Sequence, residues 1–395
     1  MRFALFGADA DVVQLAVAVC VCTEHQLVAA FAPGAHAQAI GGLAPGIRFD
    51  EDWEALLGGG LADAVVVAAE PARDAAGADQ RTRRLRNLVQ AGLPLLLVHP
   101  ACEATVGYEL EWLARDERVV LWPYYPGDSH PAVAYLAELV ARGDAAEIGR
   151  AEQLLVERTL VPMSGGTWFH LARDASLLRS ICGPASQVSA VGAGSAGSDP
   201  APVSVTMTSQ RGLLIRWSAK EGGDAETARL TLQGHRGRAT WELSPPRRPG
   251  PLTVEGRTPS VVAMADWDEF AAAVRAFAEA VAGQVAHARW LEVGLDLELA
   301  EAARRSLARG QTLQLPERDL SETAAFKGTV AVGGCLLLCL VVAVLVAVGL
   351  AEGLGLPVSV SWLWRTAVAV LLALLAIFLA LPWLKPSDRN IARNS

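Results

Sequence analysis

The chain has 395 residues and a formal net charge of −8, with 52% hydrophobic residues. That length holds two domains with real cores and leaves segments over. The acidic balance excludes a basic nucleic-acid footprint, so no nucleic-acid partner is expected. Lysine occurs only at Lys220, Lys327 and Lys385, so the first 219 residues contain none. The cysteines, Cys20, Cys22, Cys102, Cys182, Cys335 and Cys339, show no metal or redox spacing and read as reduced thiols. Asp9 and Asp11 interrupt the apolar start, which argues against a signal peptide.

Residues 1–122 alternate apolar strands and helical patterns. Strands are predicted over 2–6, 26–31, 64–68, 95–98 and 119–122, with helices over 11–22, 53–57, 82–91 and 106–114. Strands bounded by helices imply a Rossmann-type, doubly wound parallel sheet. From 123 to 316 the pattern changes to an α+β domain with an open, mainly antiparallel sheet. Helices are predicted over 132–142 and 168–181. Strands are predicted over 151–159, 187–191, 203–208, 213–218, 228–233 and 239–243, with loops at 192–202 and 244–251. Two helices close this region. The first carries Phe270, Val274, Phe277 and Val281 at helical spacing with Asp266 as N-cap, and the second covers 291–309.

After a linker over 317–327, residues 328–350 form an uncharged run. A loop over 351–361 and a second apolar segment over 362–384 follow. At ~1.5 Å per residue each can cross a hydrocarbon core of ~30 Å as a transmembrane helix. Trp362, Trp364 and Trp383 sit at the ends of the second span. Lys327, Lys385, Arg389 and Arg393 flank the pair, and the positive-inside rule places both termini and the soluble part in the cytoplasm, with 385–395 as a cytoplasmic tail. The lipid bilayer is the expected partner, at a bacterial-type cytoplasmic membrane. Neither span carries a central ionisable residue, which argues for an anchor rather than a transporter.

Three places in the first domain bear on chemistry. Gly7-Ala8-Asp9-Ala10-Asp11-Val12 follows the first strand, where a dinucleotide fold needs a glycine-rich turn against a pyrophosphate. Only the first glycine of that pattern is present. Asp9 replaces the second and Asp11 adds a further negative charge, which impairs the usual pyrophosphate binding. After the second strand, Ala32 stands where an acid usually takes ribose hydroxyls. After the strand at 64–68 come Ala69, Glu70 and Pro71, and the helix end at Gly92 leads through Leu95-Leu96-Leu97-Val98 to a sharp exit at His99-Pro100.

These spacings, with Glu147-Ile148-Gly149, Gly165-Gly166 and the closing run Glu301 to Ser306, resemble the Gfo/Idh/MocA group of glucose-fructose oxidoreductases and inositol dehydrogenases over residues 1–316. Members carry Glu-Lys-Pro where this chain has Val98, His99 and Pro100, and the family's lysine sits against the nicotinamide and the reacting alcohol. The resemblance implies NAD or NADP as cofactor, with Gly7, Asp9, Ala32, Ala69, Glu70 and His99 at the cofactor positions. It also implies a sugar-like small molecule and a homo-oligomer through the open sheet. After Gly165-Gly166 the family has an aspartate and a histidine four apart on a helix facing the substrate; His170 and Asp174 match them with residue types exchanged. A one-residue shift, counted back from Gly183, places Phe169 and Arg173 there instead; the adjacent Gly-Gly anchor favours the first register.

His99, His170 and Asp174 are therefore the candidate acid/base cluster. The competing structural reading is that His170 and Asp174 form a local helical pair and His99 fills a vacated pocket. The remaining histidines show no metal spacing, so no metal site is expected. The departures fall on one functional surface while the apolar framework is intact. The expected function is a membrane-anchored pseudo-oxidoreductase, a binding or scaffold module with little or no hydride transfer. The alternative is an active NAD(P)-dependent oxidoreductase on a sugar or cyclitol-like polyol, with His99 and His170 as acid/base.

Overall fold

The apolar four-residue runs of the first domain form strands buried on both faces. In the computed structural model, which describes residues 1–69, 75–161, 165–193, 201–222, 224–244, 248–256, 259–262, 267–283 and 290–315, they build a parallel sheet. Its elements are β1 (Arg2–Phe6), α1 (Ala10–Val21), β2 (Gln26–Phe31), α2 (Ala37–Leu43), β3 (Arg48–Asp50), β4 (Ala64–Val67), α3 (Ala75–Gln90), β5 (Leu95–Val98), α4 (Ala104–Glu117) and β6 (Leu121–Tyr124). The strand order is β3-β2-β1-β4-β5-β6, all parallel. Alternation decides which side each residue covers. Phe3, Leu5, Val66, Leu96 and Val98 face one apolar cluster, whereas Phe6, Val65, Val67, Leu95 and Leu97 face the other. The order reverses between β1 and β4, so their exits, Gly7 and Ala68, open the crevice where ligands of such sheets bind.

The second sheet follows α5 (Pro131–Arg142). It uses β7 (Ala151–Leu160), then α6 (Thr167–Cys182), β8 (Ala185–Gly192), β9 (Val203–Ser209), β10 (Leu214–Glu221), β11 (Thr227–Gly234), β12 (Gly237–Ser244), β13 (Arg248–Glu255) and β14 (Ser260–Val262). After α7 (Glu269–Val281) and α8 (Trp290–Arg309), β15 (Leu313–Gln314) completes it. Among the described residues this sheet has nine strands in the order β14-β13-β12-β11-β7-β10-β9-β8-β15. It is mixed: β7 and β10 run parallel, and every other pair is antiparallel. Its inner face carries the fully buried Trp217 and Trp241, and the latter stacks on His130 at 5.0 Å between ring centroids. His130 also caps α5, accepting from the Ala132 N–H at 3.1 Å ahead of Pro131 in the first helical turn.

Three differences from the predicted elements matter. The loop expected over 244–251 contains the start of β13, because prolines are tolerated in strands near a sheet edge. The helix expected to close the second domain, α7, returns to the first: it packs on α1 and places Val274, Phe277 and Ala280 in the cluster of Phe3 and Leu15. Its N-cap is Asp268, which accepts from the N–H groups of Phe270 and Ala271 at 3.1 and 3.0 Å, two residues beyond the expected Asp266. Asp266 itself is outside the described residues.

The described residues all lie in one compact unit, Met1–Pro316. The expected linker, both predicted membrane spans, their loop and the tail belong to a second unit, Glu317–Ser395, outside the described residues. Among the described residues no helix is long and apolar enough to cross a membrane.

Candidate functional site

Gly7 ends β1 with φ +73°, and a Cβ placed there would meet the Ala68 Cβ at 3.1 Å. This close approach of two strand exits needs glycine. Two residues on, Asp9 is extended and caps α1. One of its oxygens accepts from the N–H groups of Asp11 and Val12, both at 2.8 Å, and the other from Ala69 N–H at 2.9 Å. A helix N-terminus is a ready anion site because its first N–H groups lack intrahelical acceptors. Here the chain's own carboxylate takes them, and takes the first free N–H after β4 as well. Burial pushes the Asp9 carboxyl above the usual range, and neighbouring Asp11 adds to this; the Val12 N–H, Arg173 and the Ala69 N–H oppose it.

Ala69 and Asp9 are thus brought together, but as donor and acceptor to each other. On the far side of the same β4 exit, the buried Arg81 of α3 donates to the carbonyls of Ala68 and, at 2.8 Å, Ala101. Ala32 has φ +48°, is exposed, and its N–H donates to Asp50 O at 3.3 Å. It brings no side-chain acceptor to the ribose position. Glu70 lies outside the described residues.

His99 is 2% exposed. Its Nε2 lies 3.1 Å from the Ala172 carbonyl, which can only accept, so this nitrogen carries the proton. The ring packs on Tyr125 at 4.7 Å, and the His99-Pro100 peptide is cis. Burial lowers the His99 pKa to about 3, with Arg173 and Arg179 acting in the same direction and the Ala172 carbonyl against them. At neutral pH the ring is uncharged.

α6 does not adopt the favoured register. Phe169 and Arg173, not His170 and Asp174, face the first sheet. Phe169 packs on the apolar cluster containing Val12, Ala68 and Ala69. The Arg173 guanidinium lies 5.5 Å from the Phe169 ring centre and forms an ion pair with Asp11. His170 and Asp174 turn to the second sheet. Asp174 holds Arg158 of β7 and accepts from the Trp217 Nε1–H at 2.7 Å. His170 lies 3.6 Å from Glu226. Burial lowers its pKa to about 4, aided by Arg158 and opposed by Glu226. The expected three-residue cluster is therefore divided: His99 meets α6 through a backbone carbonyl, and Asp174 serves Arg158 and Trp217. The reason is geometric. Residues four apart share one helix face, and anchoring Asp174 to Arg158 and Trp217 turns that whole face to the second sheet.

Behind His99 lies a buried charged group that the sequence reading did not single out. Arg179 of α6 pairs through its Nε, at 3.0 Å, with Asp296 of α8, and through another nitrogen, at 2.9 Å, with Glu292. Burial pushes the Asp296 carboxyl up to about 6 despite Arg179. No group of histidines, cysteines and carboxylates that could hold a metal occurs among the described residues.

The residues present do not fit the diphosphate of a dinucleotide. The N–H groups that would bind it are donated to Asp9, and an ionised Asp9 repels it at close range.

No family model matches the sequence, and no curated protein matches it. Solved structures do. A UDP-N-acetylglucosamine 3-dehydrogenase from Acidithiobacillus ferrooxidans is 19% identical with a TM-score of 0.63, over 78% of this chain and 98% of that one. A 3-ketoreductase from Actinomadura kijaniata, solved with NADP, is 20% identical with a TM-score of 0.65, over 78% of this chain and 97% of that one. At such identities what is shared is the fold: over most of its length the chain has the architecture of these two structures, a parallel sheet followed by a mixed one.

Proposed function

We propose that residues 1–316 form an oxidoreductase-type module that binds no dinucleotide in the family's manner and carries out little or no hydride transfer. It acts as a binding or scaffold unit held at a membrane by 328–350 and 362–384, with its soluble part in the cytoplasm. The observation that carries this reading is the Asp9 carboxylate on three N–H groups at the crevice. Burial of both histidines supports it, since neither His99 nor His170 has the exposure that proton exchange with a substrate needs. Calorimetric titration of the full chain in detergent with NADH and NADPH tests it. Heat consistent with micromolar binding of either overturns the reading.

A second reading is an active NAD(P)-dependent oxidoreductase on a sugar or cyclitol-like polyol, with His99 and His170 as acid/base. The comparisons favour it over the first, because the neighbours' stated activities are sugar-nucleotide dehydrogenation and ketone reduction, and one was solved with NADP. In this chain it requires Asp9 to leave α1 and α6 to withdraw from His99. Turnover of NAD(P)H with any ketosugar or polyol by the full chain would establish it.

A further inference from the structure

We propose that α6 is a latch that closes the crevice of the first sheet from within the chain. The proposal stands apart from the question of nucleotide binding. It rests on three groups at i, i+3 and i+4 of one helix, each reaching a different part of that sheet's C-terminal edge. Phe169 packs on the cluster of Val12, Ala68 and Ala69; the Ala172 carbonyl meets His99 at the β5 exit; Arg173 pairs with Asp11 in the first turn of α1. On the other side of α6, Asp174 holds both Arg158 and Trp217 of the second sheet, and two turns beyond Ala172, Arg179 holds Asp296 and Glu292 of α8. Asp174 therefore ties α6 to the second sheet, while Phe169, Ala172 and Arg173 cover the strand exits of the first. Gly165 and Gly166, with φ +105° and +83°, form the joint that leads into α6.

Among the described residues, Asp9 at the N-cap of α1, Asp11 in its first turn and Arg173 of α6 carry charge at this contact. The side chains of Asp11 and Arg173 are 4% and 10% exposed. Both groups are largely shielded from water, so salt screens their attraction little and the pair favours the closed arrangement.

Hydrogen exchange on the full chain in detergent, read by mass spectrometry, tests the latch across its two sides. Arg173→Ala is expected to raise exchange about tenfold or more in the first turn of α1 and at residues 98–101, leaving β9 and β10 unchanged. Asp11→Asn is expected to do the same at residues 169–174, although that change is made on the other element. Arg173→Lys, which keeps the charge, is expected to stay near the native pattern. No change at α1 in Arg173→Ala overturns the latch. A uniform rise in both sheets also overturns it, because the pair is then a general stabiliser.

Discussion

His99 should make the fold acid-sensitive, and the size follows from its burial. Its pKa is lowered from 6.5 to about 3 in the folded chain. A depressed pKa means that the folded state refuses a proton the unfolded chain accepts. Its contribution to stability is complete above pH 6.5 and is lost progressively as pH falls from 6.5 towards 3. At about 1.4 kcal/mol per pH unit, His99 alone removes about 2 kcal/mol between pH 7 and pH 5. His170 acts in the same direction. Asp296 opposes both: its carboxyl is raised to about 6, so the folded state gains relative stability as pH falls through 6 towards the unfolded value of 3.8. Asp9 is raised as well and opposes them with the same sign. The net acid limb should therefore be smaller than two histidines alone would give. In His99→Gln the side-chain amide still donates to the Ala172 carbonyl but cannot titrate. Urea unfolding at pH 7 and pH 5 should then show a loss smaller than the native one by about 2 kcal/mol. An equal loss in native chain and variant would refute the placement of His99 as a buried neutral donor.

Three further outcomes follow from the same geometry. Asp9→Ala removes an N-cap and the acceptor for Ala69 N–H, partly offset by relief of a costly buried carboxylate, and should lower stability by about 1–3 kcal/mol in urea at pH 7. Gly7→Ala puts a Cβ on a backbone at φ +73°, with 3.1 Å to the Ala68 Cβ, and should cost about 1–2 kcal/mol or more, read as a lower thermal midpoint. Asp296→Ala removes the buried partner of the half-buried Arg179, leaving it Glu292, and should cost about 3 kcal/mol; a neutral result would mean that Asp296 is not buried against Arg179 as described.

Much of this was legible in the residues. The β1, β2 and β5 boundaries follow from apolar runs closed by Gly7, Pro33-Gly34 and His99-Pro100, because a strand buried on both faces leaves an uninterrupted signal. β3 was not legible: it is three residues long and largely exposed at the sheet edge. The docking of α7 on the first sheet was hidden for another reason. Its Val274, Phe277 and Ala280 stripe declares an apolar face but not which sheet that face covers. The α6 register turned on one residue, and the deciding partners, Arg158 and Trp217, are distant in sequence from Asp174. Arg81 had a usable signal. It precedes Leu85 by four positions and so shares the face on which Leu85, Leu88 and Val89 are buried, which marks it as an inward-facing arginine.

Asp9 sits on the N–H groups that a cofactor phosphate would need, and a paired titration tests whether it keeps such a phosphate out. Native chain and Asp9→Gly, each checked for folding, are titrated with NADPH and NADH while the reduced nicotinamide fluorescence is followed. No saturable signal is expected from the native chain and a measurable one from Asp9→Gly, in which the N–H groups of Asp11, Val12 and Ala69 lose their carboxylate acceptor and can meet a diphosphate. Micromolar binding by the native chain, no tighter in Asp9→Gly, would contradict it.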